Sequence, residues 1–141
     1  MKCNIINSLN VTPVFQGRND VDSSKTKSNS FYNQGSQRTS YFEKRYNEYG
    51  QQLFDTQGYI RYGAKEPDIT KKWTYYENGR LRSETIEHGM QHMNYKITRY
   101  SINGELESIY KYDGWQNIKE IVENGIKKIF KDGKLIKRSK Y

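Results

Sequence analysis

The chain has 141 residues, about one domain, but a formal net charge of +8 and a hydrophobic content of 33% exclude a large layered core. Thirteen tyrosines and two tryptophans instead favour a thin structure whose aromatic rings cover half-exposed faces. The single cysteine, Cys3, cannot form an intramolecular disulfide, and no apolar run is long enough for a signal peptide or a membrane span, so the sequence predicts a cytoplasmic protein.

The first 40 residues, 1–40, predict an N-terminal arm. One edge strand is expected at residues 10–16, because Pro13 could not donate to a central ladder. Residues 18–40 consist mostly of Ser, Asn, Thr, Gln and Lys, and they cannot bury enough apolar surface to offset their ordering entropy. We therefore expect a poorly ordered linker, or one that becomes ordered on a partner.

Residues 41–141 predict the folded part of the chain, a β-hairpin repeat domain. Strand-like runs of Tyr, Ile, Trp and Phe are separated by glycines at positions 50, 58, 79, 89, 104, 114, 125 and 133. This spacing of turn signals is typical of an all-β chain, here an antiparallel β-meander of successive hairpins. Residues 64–70, which contain Pro67, are expected to interrupt the meander. Helix is expected at most as a short turn before residue 40 or in that interruption.

Asn-Gly and Asp-Gly doublets predict where the hairpins turn. They occur at residues 78–79, 103–104, 113–114, 124–125 and 132–133. Such doublets favour two-residue type I′ turns, whose two central residues both have positive φ. The opposed pairs would then be Tyr76–Leu81, Ser101–Leu106, Tyr112–Trp115, Glu123–Ile126, Phe130–Leu135 and Ile129–Ile136.

The hairpins also share landmarks that indicate a repeat. A tyrosine stands four residues before three of the turn glycines, at Tyr46, Tyr75 and Tyr100, and Gly-x-Leu recurs at residues 79–81, 104–106 and 133–135. Residues 73–84, WTYYENGRLRSE, resemble the MORN-variant repeat, and residues 103–114 and 131–141 resemble degenerate copies. The resemblance covers about residues 71–141. It implies a long, twisted, single-layered antiparallel sheet and a role in binding proteins, in some members as antitoxins, without assigning that role to particular residues.

Few residues in the chain could carry catalysis or bind a metal. His88 and His92 are four apart, a spacing that could present two imidazoles to one metal on a helix, but Gly89 and the β context favour a hairpin loop. The carboxylate pairs Glu84/Glu87 and Glu105/Glu107 have no evident desolvated partner that would raise a pKa. The sequence therefore predicts a non-enzymatic protein without metal or cofactor.

The most prominent candidate binding residues lie in the last third of the chain. The basic residues of the final hairpin could bind phosphate or an acidic protein surface, or could protect a sheet edge from aggregation. The aromatic residues could stack on single-stranded bases or could simply cover the sheet. The candidates are Lys127, Lys128, Lys131, Lys134, Lys137, Arg138 and Lys140, with Tyr95, Tyr100, Tyr110, Tyr112 and Trp115.

Two functions follow from these features. The first is a non-enzymatic binder that inhibits or neutralises a protein partner, such as an antitoxin, an immunity protein, or a phage-type inhibitor of a defence nuclease such as an anti-CRISPR. Because the chain is basic, it would clamp an acidic face, or bind nucleic acid and enzyme together, rather than mimic nucleic acid. The alternative is direct binding of RNA or DNA by the basic C-terminal hairpin and exposed tyrosines. No membrane partner is expected, and exposed strand edges predict that a homodimer could form.

Overall fold

The protein forms one antiparallel β-sheet, and this computed structural model describes residues 18–89 and 94–141. The strands, numbered in chain order, each pair with the next, so the spatial order equals the sequence order. This confirms the predicted all-β meander; the strand predicted at residues 10–16 lies outside the described residues. The strands are β1 (Lys27–Asn33), β2 (Arg38–Tyr46), β3 (Gln52–Arg61), β4 (Ala64–Tyr75), β5 (Leu81–His88), β6 (Asn94–Tyr100), β7 (Leu106–Asp113), β8 (Ile118–Glu123), β9 (Ile126–Lys131) and β10 (Lys134–Lys140).

The sheet is a single layer with two open faces. Side chains alternate between the faces along each strand, and directly opposed residues share a face. The register places Tyr95, Tyr112 and Lys119 in one row on what we call the front face, and Ile109 and Val122 in a row on the back face. In the described part of the chain the buried hydrophobic side chains are few, as expected for one layer: Tyr41, Leu53, Ile109 and Val122.

Three hairpins at one end of the sheet turn in the same way. This proximal end carries the β2–β3, β4–β5, β6–β7 and β8–β9 connections; the other end is the distal end. In the first three connections φ is positive at the glycine, at Gly50, Gly79 and Gly104, and not at the residue before it. All three loops are therefore three-residue turns with a bulge, in place of the type I′ turns predicted at residues 78–79 and 103–104. The bulge shifts the register by one residue, so that Tyr75, and not Tyr76, opposes Leu81.

Two predicted type I′ turns are confirmed near the C-terminus. Both central residues have positive φ at residues 124–125 and at residues 132–133. Glu123 opposes Ile126, as expected. In β9–β10 the predicted Phe130–Leu135 pair forms, but a bulge at Ile136 sets Ile129 against Lys137. The predicted Tyr112–Trp115 pair was wrong, because a four-residue loop joins β7 to β8, so that Asp113 opposes Ile118 and Tyr112 opposes Lys119.

Residues 64–70 do not interrupt the sheet, contrary to the prediction. They form the first half of β4, where Pro67 opposes Gly58 beside a bulge. Gly58 is not a turn residue but lies inside β3. A Cβ at this position would stand 2.1 Å from the carbonyl oxygen of Glu66, so the close approach of β4 requires glycine. The turn lies instead at Tyr62 and Gly63, with φ of 51° and 77°. Tyrosine is an unusual residue for such a turn, which explains why the sequence pattern missed it.

The sheet begins before Tyr41, the residue from which it was predicted. A short 3₁₀ helix, Ser23–Lys25, precedes β1, in agreement with the helical turn expected before residue 40. The preceding segment contacts the proximal end, where the Asn19 amide donates to the carbonyl of Tyr75 and accepts its N–H, and the N–H of Asp22 donates to Tyr46. The residues predicted as a linker therefore include a paired strand and an anchored segment.

Candidate binding surface

The front face of β6 to β9 carries a continuous aromatic and aliphatic patch. Each of its residues is half-buried, because neighbouring side chains cover it from the sides and nothing within the described residues covers it from above. Tyr112 opposes both Tyr95 and Lys119, and Lys119 in turn opposes Phe130. We call this surface the tyrosine patch; it consists of Tyr95, Ile97, Tyr110, Tyr112, Ile121 and Phe130.

The three tyrosines of the patch pack against one another. The ring centroids of Tyr95 and Tyr110 are 5.7 Å apart with the planes 21° apart, and those of Tyr95 and Tyr112 are 5.6 Å apart. Burial and a hydrogen bond with Tyr110 raise the pKa of Tyr95, against the opposing effect of the Lys119 ammonium group. The rings thus cover part of one another's faces and present a fixed apolar surface with hydroxyl groups.

Basic side chains of β8, β9 and β10 lie beside the tyrosine patch on the same face. Lys119 stands within it, Lys128 opposes Ile121, and β10 adds Arg138 and Lys140. Among the described residues none of the four forms an ion pair. We call these four residues the front-face cations.

In the N-terminal half of the sheet, cations lie over the faces of the aromatic rings. There the chain places its own cations over them: Lys65 lies 5.3 Å from the ring centroid of Tyr41, and Arg45 lies 4.4 Å from that of Phe54. All of the cation–π contacts between described residues fall in residues 18–82. The tyrosine patch thus differs from the other aromatic clusters in having cations beside its rings and none above them.

The predicted basic run divides between the two faces. Lys128, Arg138 and Lys140 lie on the front, whereas the pairing register places the other members on the back. The bulge at Ile136 causes the division within β10, because it reverses the alternation of the residues that follow. The back-face members are Lys127, Lys131, Lys134 and Lys137.

The back-face charges are partly neutralised. Glu120 lies 3.0 Å from the ammonium group of Lys127 and 3.5 Å from that of Lys111. Burial acts to raise the pKa of Glu120, but the two ammonium groups outweigh it and hold the pKa below its ordinary value. Lys131 and Lys134 oppose one another across the Asp132–Gly133 turn.

Two predicted aromatic residues lie away from the tyrosine patch. Tyr100 is at the proximal end of β6, five residues or roughly 17 Å along the strand from Tyr95. There it lines a shallow concavity with Arg82 and Arg99. Trp115 lies in the distal loop between β7 and β8 and is 72% exposed.

The residues considered for metal binding and acid–base chemistry are not brought into one site. His88 is exposed at the end of β5, and His92 lies outside the described residues. Glu84 accepts a hydrogen bond from the Trp73 indole at 3.0 Å, and Glu87 pairs with a lysine. Over residues 18–89 and 94–141 no group of three or more His, Cys, Asp or Glu side chains could hold a metal ion.

Sequence reasoning missed four members of the surface. Lys119, Ile97, Ile121 and Phe130 join it only because each opposes a neighbour on the front face. The β7–β8 register could have found three of them, Lys119, Ile121 and Phe130, but pairing Tyr112 with Lys119 requires the four-residue loop that an Asp-Gly doublet does not indicate. Ile97 is placed by the β6–β7 pairing, in which it opposes Tyr110.

No protein-family model, curated protein or solved structure matches this chain. In the described part of the chain no helix is long and apolar enough to cross a membrane.

Proposed function

We propose that the protein is a non-enzymatic binding protein that inhibits or neutralises a protein partner by covering an acidic surface of that partner with its tyrosine patch. The observation that carries this proposal is the pairing of uncapped aromatic rings with cations that have no carboxylate partner in the described residues. An apolar centre with charges beside it is the arrangement found in specific protein interfaces, where tyrosine and arginine are enriched.

The packing of the tyrosines favours a protein over single-stranded nucleic acid as the partner. A base-stacking platform needs ring faces that are free to receive bases. Here Tyr95 contacts both Tyr110 and Tyr112 at less than 6 Å between centroids, so its ring is already engaged. The cations are also divided between the two faces, whereas a phosphate-tracking groove would gather them along one path. The MORN-variant resemblance supports the same choice, because that family acts mostly through protein binding.

The test compares two double charge reversals in one hairpin. Lys128→Glu with Arg138→Glu changes the front face, and Lys131→Glu with Lys134→Glu makes the same change of charge on the back face. The tagged protein is used to capture partners from cells of its native source, and the activity of each recovered enzyme is measured with and without the protein. We expect the front-face variant to lose capture and inhibition and the back-face variant to retain both. Equal loss in both variants, or no effect of either, would contradict the proposal.

Direct nucleic-acid binding is the second candidate, and the seven basic residues of the last hairpin favour it. Fluorescence anisotropy with labelled single-stranded RNA and DNA at several salt concentrations measures it. Nucleic-acid binding predicts that the logarithm of the association constant falls linearly with the logarithm of salt, with a slope of about −0.7 for each phosphate contact. Tight, strongly salt-dependent binding to free nucleic acid would replace the protein-partner proposal, and no binding at low salt would eliminate this second candidate.

A further inference from the structure

The two edges of the sheet are chemically unlike. The outer strand β10 carries four basic residues among seven and is bent by a bulge at Ile136. The outer strand β1, KSNSFYN, carries only Lys27 and pairs with β2 in an unbroken register. Charge and bulges are the usual devices that keep an edge strand from pairing with another chain. β10 has both devices, whereas the central part of β1 has neither.

The backbone of β1 directs donors and acceptors to its outer side, away from β2. The N–H of Ser30 donates to its neighbour Asn29 Oδ1 at 2.8 Å, which indicates that it points away from β2. Because peptide groups alternate along a strand, those of Ser28, Ser30 and Tyr32 face outward. Within the described residues β1 has a paired neighbour on one side only. Each of its residues is exposed, including Phe31 at 54% and Tyr32 at 61%.

We propose that β1 is a self-association edge, at which two copies of the chain pair their β1 strands antiparallel about a two-fold axis through Phe31. Each Phe31 would oppose its own copy in a pair without mutual backbone hydrogen bonds, and Ser30 of one protomer would exchange hydrogen bonds with Tyr32 of its partner. This register brings two exposed phenylalanine rings together, a stabilising cross-strand pair. In the alternative register, with the two-fold axis through Ser30, each Phe31 ring would oppose Asn29 of the other copy and the two rings would not meet.

Charge also favours a second copy at this edge. The positive charge of the chain is concentrated in the last hairpin, nine strand spacings or about 43 Å from β1 along the sheet. Pairing through β1 therefore keeps the two basic edges at opposite ends of the joined sheet. Pairing through β10 would set four cations against four. The contact involves only one strand from each protomer, so the surface that it buries is small. Specific protein interfaces begin at about 1,200 Å² of total buried surface, and we therefore expect a weak, concentration-dependent dimer.

Ser30→Pro tests the backbone contact. Proline removes the outward N–H of residue 30 and leaves the pairing with β2 intact, since that N–H does not point towards β2. Sedimentation equilibrium should show the wild type shifting from monomer to dimer over about a hundredfold rise in concentration, as expected for micromolar affinity. Ser30→Pro should remain a monomer with an unchanged circular dichroism spectrum, and Ser30→Ala should dimerise like the wild type. A wild type that is monomeric throughout the series, or a Ser30→Pro variant that still dimerises, would overturn the proposal.

Single-cysteine cross-linking tests the register. In a Cys3→Ser background, Phe31→Cys places two thiols in directly opposed positions, within the reach of a disulfide. Asn29→Cys, the matched control, places its two thiols four residues or about 13 Å apart along the strands. Under mild oxidation the Phe31→Cys protein should form a covalent dimer and the Asn29→Cys protein should remain uncross-linked. Equal cross-linking of the two variants would refute the register, and preferential cross-linking at residue 29 would do the same.

Discussion

Asn47 is the most fully buried side chain in the described residues, with no exposed surface, although it is polar and lies in a turn. Its Oδ1 accepts the N–H groups of Tyr49 and Gln51, at 3.0 and 2.9 Å, and its amide donates to the carbonyl of Arg18 and to the side chain of Gln51. One side chain thus fixes the first proximal turn and attaches the segment before β1 to it. Its replacement should weaken both features.

The expected magnitude follows from these contacts. Four hydrogen bonds contribute about 1 kcal/mol each, and water can replace some of them at the end of the sheet, so Asn47→Ala should lower the free energy of unfolding by about 2–4 kcal/mol. The third turn offers a matched control, because Ser101 occupies the equivalent position and its hydroxyl accepts one N–H, from Glu105. Ser101→Ala should cost about 0.5–1.5 kcal/mol. Asn47→Asp keeps the two acceptor contacts but sets a buried carboxylate oxygen against the Arg18 carbonyl and the side-chain oxygen of Gln51, so it should cost at least as much as Asn47→Ala.

Urea denaturation followed by far-ultraviolet circular dichroism measures the three variants. Hydrogen exchange locates the effect: Asn47→Ala should accelerate exchange at the amides of Tyr49 and Gln51, while the amides of β8 and β9 keep their protection. If Asn47→Ala costs no more than Ser101→Ala, the buried amide does not organise the proximal end, and the reasoning from its hydrogen bonds is wrong.

Three further predictions concern backbone strain, close packing and charge. Tyr62 is fully exposed but has a φ of 51°, so Tyr62→Asn should raise the melting temperature by about 2–4 °C, and an unchanged or lower value would contradict the strain. Gly58→Ala should cost about 3 kcal/mol or more in urea denaturation, because the new Cβ would stand 2.1 Å from a carbonyl oxygen of β4; a native-like stability would show that the strands can separate freely. Lys127 and Lys111 lower the pKa of Glu120 against the raising effect of burial. The ionised carboxylate therefore stabilises the fold above the unfolded-state pKa of Glu120, and this stabilisation is lost as the pH falls through its folded-state pKa. Glu120→Gln should therefore cost about 0.5–1 kcal/mol at neutral pH and match the wild type in acid, and a constant difference at all pH values would exclude this linkage.

The sequence predicted the hairpins better than their registers. Each of the five glycine doublets lies at a connection between strands, because asparagine, aspartate and glycine favour turns. The same doublet, however, also fits a three-residue turn with a bulge, and the doublet alone does not distinguish the two turn types. At Asn78–Gly79 the Tyr76 N–H donates to Arg80 and the bulged turn forms, whereas at Asn124–Gly125 both residues adopt positive φ.

The candidate site was predicted only in part, because strand alternation can be read from the sequence and the positions of bulges cannot. Tyr110 and Tyr112 share a face by strand alternation alone, and the β6–β7 pairing sets Tyr95 opposite Tyr112. The basic run could not be assigned to a face, because a single bulge at Ile136 decides which of its members share the face of the tyrosines. Bulges depend on how neighbouring strands twist and pack, and a local sequence pattern carries little of that information.

The two proposals together explain why the halves of the sheet differ. The N-terminal half covers its own aromatic rings with cations and attaches its turns to one another, as when the Gln51 amide donates to Gly79 in the next turn. Such a half is suited to act as a rigid scaffold that ends in a strand of low charge.

Pairing through β1 would place the two tyrosine patches on the same face of one continuous sheet, because directly opposed residues share a face, and the twist of the sheet would set the angle between them. Fourteen strand spacings, or about 65 Å along the sheet, would separate their centres. A partner that presents two acidic surfaces at that spacing would bind both patches and gain avidity without any new contact. We therefore expect Ser30→Pro to weaken the capture of a dimeric partner while leaving binding to one isolated acidic surface unchanged, a difference that surface plasmon resonance at low and high ligand density would measure. Equal weakening at both densities would show that β1 contributes to the partner contact itself and not to its valency.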